Sequence, residues 1–120
     1  PPEFAHEFQV STVHQRLPEE FISRVVAESL KVPARVWRDA MTGMLAGDAK
    51  SQLGSIKAPT LILWGNKETV FPRSEQDALI NAIPKAALKV YSEAGHSPHW
   101  EKPEQFVQDL EEFLRTKDTL

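Results

Sequence analysis

The segment Thr60-Leu-Ile-Leu-Trp64, set between Pro59 and Gly65, shows no polar alternation. A strand with one wet face alternates with a period of two, so this run reads as a strand buried on both faces, the kind found mostly in parallel sheets covered by helices. Such a strand demands neighbours, because every open edge leaves a row of unpaired N–H and C=O groups. One further candidate exists, Ala87-Leu-Lys-Val-Tyr91. Between the two, Ser74 is placed to cap a helix through about Ile83 that turns Ala78, Leu79, Ala82 and Ile83 inward, with Pro84 ending it. A loop is expected over 92–102. Pro103 then opens a last helix with Phe106, Val107, Leu110, Phe113 and Leu114 on one stripe. Residues 59–116 therefore predict strand, helix, strand, helix: a βαβα unit with parallel strands and a right-handed crossover. Two such strands make no independent sheet, so the expectation is a portion of a larger α/β protein.

The first fifty residues read as helices. Phe4, Phe8 and Val10 predict a turn or two near the start. Pro18, followed by Glu19 and Glu20, starts a helix whose apolar face carries Phe21, Ile22, Val25, Val26 and Leu30, and Pro33 stops it near Lys31. A third helix is expected over 34–46, with Val36, Trp37, Ala40, Met41, Met44 and Leu45 on one side and Gly47 at its end. The chain begins Pro1-Pro2-Glu3 without an initiator Met, and an upstream segment is expected.

Composition narrows the chemistry. Fourteen Lys and Arg face seventeen Asp and Glu in 120 residues, a formal charge of −3 with no basic stripe, which argues against a nucleic-acid partner. No eighteen-residue apolar run predicts a membrane span, and no signal-peptide core is visible, so a cytoplasmic protein is expected. Zero cysteines remove disulfides, thiolate metal sites and a Cys nucleophile. Chemistry must come from His, Ser, Thr and carboxylates.

In open α/β sheets, sites gather beyond the carboxyl ends of parallel strands. Two titratable residues stand there: Glu68, four residues past the first strand, and His96, five past the second. Neighbouring strands lie about 5 Å apart, so their loops should emerge side by side. A carboxylate beside an imidazole is the orienting half of a nucleophile–base–acid arrangement.

Three stretches then resemble the C-terminal part of the α/β-hydrolase superfamily: Ala58-Pro-Thr-Leu-Ile-Leu-Trp-Gly65, Gly65-x-x-Glu68-x-x-x-Pro72, and Gly95-His96-x-x-x-x-Glu101-x-Pro103 leading into the last helix. The resemblance implies a fold in which residues 1–54 form a helical lid or cap and 55–120 the C-terminal half of the core, with two parallel strands and flanking helices. It implies His96 as general base and Glu68 as acid, where members mostly carry Asp. It further implies a small-molecule substrate, no cofactor, and a nucleophile upstream of Pro1, since no G-x-S-x-G elbow or HGGG segment occurs here. The partner is thus the N-terminal portion of the same hydrolase. A Ser nucleophile would imply an ester or similar substrate, and an Asp would imply haloalkane or epoxide hydrolysis. A non-catalytic ligand-binding or sensor protein on the same scaffold is the alternative.

Other residues have blander readings beside the functional ones. Trp37, Met41 and Met44 suit a core face, and under a lid they would line the substrate pocket. His99 makes an H-x-x-H pair with His96, but Pro98 between them and the lack of a third ligand argue against a metal. His99 and Trp100 are expected to line or underlie the site. His6 and His14 have no evident partner.

Overall fold

The computed structural model describes residues 1–117. Three helices come first: α1 (Pro2–Ser11), α2 (Glu19–Leu30) and α3 (Ala34–Ala46). A 3-10 turn (Lys50–Ser55) leads to β1 (Thr60–Gly65), α4 (Arg73–Ala82), β2 (Ala86–Tyr91), the short α5 (Pro98–Glu101) and the terminal α6 (Pro103–Lys117). The two strands pair in parallel, with Thr60 opposite Ala86 and Gly65 opposite Tyr91.

Most boundaries follow the sequence signals, and the departures have local causes. The expected turn or two at the N-terminus is a full helix of ten residues. Proline at its first position and Glu3 in its first turn suit the start of a helix. The Phe4 and Phe8 rings, one turn apart, stack at 6.4 Å. Packing against α2, where Gln9 Nε2 donates to Ser29 Oγ at 3.1 Å, completes it. Helix α4 begins one residue before Ser74, after Pro72, and Ser74 makes no capping bond. It buries Gln76 and the following Ile83, while Ala78 stays exposed. The loop expected over 92–102 contains the single turn of α5, which Pro98 opens.

The strand expected to be covered on both faces has one strand neighbour among the described residues. Residues 60–64 of β1 are only half-buried, and full burial is reached at Gly65. Among the described residues the sheet has two strands, and part of the α6 stripe is open as well, at Val107, Leu110 and Leu114. The radius of gyration, 16.4 Å, exceeds the roughly 13–14 Å of a compact domain of this length. No described helix is long and apolar enough to cross a membrane.

What core there is centres on Tyr91, 0% exposed at the end of β2. Its hydroxyl donates to Asp109 Oδ2 of α6 at 2.6 Å. Lys89 Nζ donates to Asp109 Oδ1 at 2.6 Å and to Glu112 Oε2 at 2.8 Å. Burial, reinforced by the bond to Asp109, pushes the Tyr91 phenol well above its usual range. Burial also works against the charge on Asp109, but the bonds from Lys89 and Tyr91 outweigh it and hold that carboxyl below its usual value. This cluster clamps α6 to the strand that carries the second loop.

Asp109→Ala is expected to leave the buried Tyr91 hydroxyl without its acceptor and to lower the unfolding free energy by about 1–3 kcal/mol. Urea unfolding would measure the loss, and combining it with Tyr91→Phe should cost less than the sum of the two. Because the Asp109 carboxyl is lowered in the folded state, its contribution is present above the unfolded value and fades as pH falls through the lowered one.

Candidate active site

Register decides which loops meet. With Gly65 opposite Tyr91, β1 and β2 end level, and the chains leaving them are stitched together at once. Asn66 N–H donates to Tyr91 C=O at 2.9 Å and Lys67 N–H to Ala94 C=O at 2.8 Å. Asn66 Oδ1 in return accepts the Glu93 N–H at 2.8 Å. Glu93 sits at φ 54°, in the left-handed region that side chains rarely adopt, and these bonds help hold it there. The approach is close enough to need glycine: a Cβ at Gly65 would run into the carbonyls of Ala94 and Gly95.

Glu68 and His96 come together at this rim. Glu68 Oε2 lies 2.5 Å from His96 Nδ1, and Oε1 accepts the Val70 N–H at 2.6 Å. An ionised carboxylate only accepts, so Nδ1 carries the proton and donates it to Glu68. The Glu68 side chain is 5% exposed and the imidazole 36%. Nε2 is therefore the basic nitrogen, and it has no hydrogen-bond partner among the described residues. A buried acid behind an open imidazole with a free Nε2 can accept a proton from a hydroxyl or water within hydrogen-bond reach of that nitrogen.

The N-terminal region crosses the same loop. His96 N–H donates to Thr12 C=O at 2.8 Å. Glu101, on α5, is 8% exposed. Its Oε1 accepts the His14 and Gln15 N–H groups at 2.9 and 2.6 Å, and its Oε2 the Gly95 N–H at 2.7 Å. On the surface His14 Nε2 donates to Glu93 Oε2 at 3.0 Å. That bond first, and then the charge of Lys67, lower the Glu93 carboxyl from its usual value. The partner missing from the sequence for His14 is thus Glu93, 79 residues away, and His6 lies 3.4 Å from Glu19.

The remaining predicted residues fall in three places. The His99 ring packs 5.4 Å from Trp100 and 5.8 Å from Phe106, and Trp100 meets Phe21 of α2 edge-on at 5.4 Å. In this packing His99 stays exposed and Trp100 is half-buried. Trp37, Met41 and Met44 lie on an open face of α3, between 50% and 60% exposed. Two neighbours lie outside the residues expected at the site. Phe71 lies 5.8 Å from the His96 ring, and Glu101 stands in the motif without a role that spacing would reveal. Phe71 follows Glu68 by three residues, so its place is legible in principle. The bonds from Glu101 to residues 14 and 15 span more than eighty positions and leave no local signal.

With these features the chain belongs to the α/β-hydrolase fold family, whose model matches residues 4–103. It is 31% identical over 103 residues to the 2-hydroxy-6-oxo-6-phenylhexa-2,4-dienoate hydrolase of Comamonas testosteroni, an alignment covering 86% of this chain and 32% of that protein. It is 37% identical over 68 residues to the 2-hydroxy-6-oxononadienedioate/2-hydroxy-6-oxononatrienedioate hydrolase 2 of Pseudomonas putida, covering 57% of this chain and 24% of that one. Among solved structures, a thermophilic esterase from Thermogutta terrifontis superposes with a TM-score of 0.79 at 29% identity, covering 96% of this chain and 44% of that one. The esterase of Exiguobacterium antarcticum superposes at 0.88 with 21% identity, covering 95% and 42%, a likeness of fold. The chain spans about a third or less of the length of these two curated relatives.

Burial first, and then the neighbouring His96, lower the His99 imidazole from its ordinary value. Its NMR titration midpoint is expected below about 6.5, the ordinary histidine value, and should move back toward it in His96→Ala. A depressed histidine favours folding above its unfolded value, and that contribution is lost as pH falls.

Proposed function

We propose that the protein is a hydrolase in which His96 is the general base and Glu68 the orienting acid of a nucleophile–His–acid triad. One observation carries this reading: the Glu68 side chain, 5% exposed, holds Nδ1 of an imidazole whose other nitrogen has no partner among the described residues. Glu68 fixes the tautomer and stabilises the imidazolium that forms when Nε2 takes a proton.

For a hydroxyl nucleophile, its oxygen bonds to the substrate carbonyl carbon as its proton passes to Nε2. The imidazolium then gives that proton to the leaving oxygen as the old bond breaks. Water then bonds through its oxygen to the acyl carbon as its proton passes to Nε2, and the imidazolium returns that proton to the nucleophile's oxygen as the acyl bond breaks and the acid leaves. The nucleophile belongs to polypeptide outside residues 1–120. Support comes from the absence of a G-x-S-x-G elbow in this sequence and from the share of the relatives' length that the chain spans. Residues 55–120 then serve as the C-terminal half of the core and 1–54 as the lid.

The substrate is a small hydrophobic ester or similar carbonyl compound. The similarity to dienoate hydrolases and esterases favours it, as does Phe71 beside the imidazole. The apolar face of Trp37, Met41 and Met44 then serves as pocket lining carried by the lid. An Asp in place of a hydroxyl nucleophile would turn the same His–Glu pair to haloalkane or epoxide hydrolysis.

In the full-length protein, His96→Ala is expected to abolish turnover of short aryl and alkyl esters, and retention of more than about a tenth of the wild-type rate would refute the assignment. Glu68→Gln keeps the shape but withdraws the charge that stabilises the imidazolium, and should lower kcat by about a hundredfold or more. An unchanged rate there would move the acid elsewhere. A wild-type protein that binds the esters yet turns none over would be a sensor instead.

A further inference from the structure

Glu101 is not part of the Glu68–His96 pair, yet it is buried without a cationic partner. At 8% exposure it faces no lysine or arginine within ion-pair distance among the described residues, and its two oxygens are satisfied by three backbone N–H groups. A buried carboxylate without a countercharge is costly unless its hydrogen bonds are good. These are short, at 2.6 to 2.9 Å, and they join two stretches of chain that share no secondary structure. One oxygen holds the amides of His14 and Gln15. The other holds the amide of Gly95, the residue that precedes His96.

The strap over residues 12–15 is fastened again one residue further along the same loop, where His96 N–H donates to Thr12 C=O. The backbone on both sides of the Gly95 Cα is therefore pinned to the strap, once through Glu101 and once directly. The fit is tight: a Cβ added at Gly95 would come within 2.8 Å of His14 N and 2.9 Å of Thr12 O. Glu68 sets the rotation of the imidazole about its side chain, but it cannot set where the His96 Cα stands. The bonds to the strap and Glu101 act on that backbone directly.

We infer that Glu101 is a positioning residue: by binding the Gly95 amide together with those of His14 and Gln15, it locks the strap that follows α1 onto the loop of the base and sets the depth of His96. The inference rests on the reading of His96 as general base. Its consequence is that the strap and the base move as one body, so loosening the strap displaces Nε2 even with the Glu68–His96 bond intact. A misplacement of about 1 Å can cost on the order of a hundredfold in rate.

Glu101→Gln tests this in the full-length protein. Glutamine keeps the shape and one acceptor, but its NH2 must face an amide N–H that the carboxylate had accepted. The expected result is a kcat lowered at least tenfold with KM within about threefold of wild type, since the reacting geometry changes and the substrate contacts do not. The backbone amide protons of His14, Gln15 and Gly95, shifted downfield in the wild type by charge-assisted bonds, should move upfield together in the variant. Normal kcat in a folded Glu101→Gln protein overturns the inference, and so does a wild-type spectrum in which those amides are not downfield. Should Glu101→Gln fail to fold, Gly95→Ala reaches the same lesion by pushing the strap away with Glu101 intact, and a normal kcat there is equally fatal. The two readings fail separately. A His96→Ala protein that still turns over refutes the base, whatever Glu101 does. An inactive His96→Ala beside a fully active Glu101→Gln refutes only the positioning role.

Discussion

The parallel pairing that sets Gly65 opposite Tyr91 is the constraint on which the rest of the molecule depends. A shift by one residue would turn every side chain of a strand to the other face and carry the two loops out of step. With the strands level, the backbone leaving β1 meets the backbone leaving β2 within a residue or two, close enough that Gly65 has no room for a Cβ. Tyr91 secures that end of β2 through Asp109, which ties the strand to α6 and meets Lys89 as well. The rim is firm because its footing is.

On that rim three glutamates take different parts, and environment decides which. Glu68 is buried with one oxygen on an imidazole, so its charge acts on a group that titrates. Glu101 is buried on backbone amides alone, so its charge organises the chain path. Glu93 is exposed, shared between His14 and Lys67, and its distinctive contribution is its backbone turn at positive φ. Residue type alone would assign all three the same chemistry. What separates them is solvent access and the identity of the hydrogen-bond donor.

Much apolar surface stays open among the described residues: the α3 face, part of the α6 stripe and the flanks of both strands. The periodicity of these segments matches the helices that form, and α3 begins and ends where its proline and glycine signals put it. Periodicity tells which side of a helix is apolar, but not what lies against it. That is why the strand expected to be covered on both faces is half-buried here, and why Trp37, Met41 and Met44 are open. Helix α1 is longer than its sequence suggests for a related reason. Its stability comes from packing on α2, since a short helix has little of its own.

The sequence by itself determined both strands, helices α2, α3, α4 and α6, and the two strand-end residues. Pro59, Gly65, Pro72 and Pro84 punctuate the chain locally, and parallel strands place loop chemistry at their carboxyl ends, so Glu68 and His96 stand out together from spacing alone. Only the tertiary structure decided how the pair is held. The tautomer of His96 follows from which of its ring nitrogens faces the Glu68 carboxylate, and the height of its loop from Glu101 and a strap eighty residues earlier in the chain. Backbone amides carry no side-chain identity, so a carboxylate that reads them across such a distance leaves nothing in the spacing of residues for a sequence argument to find.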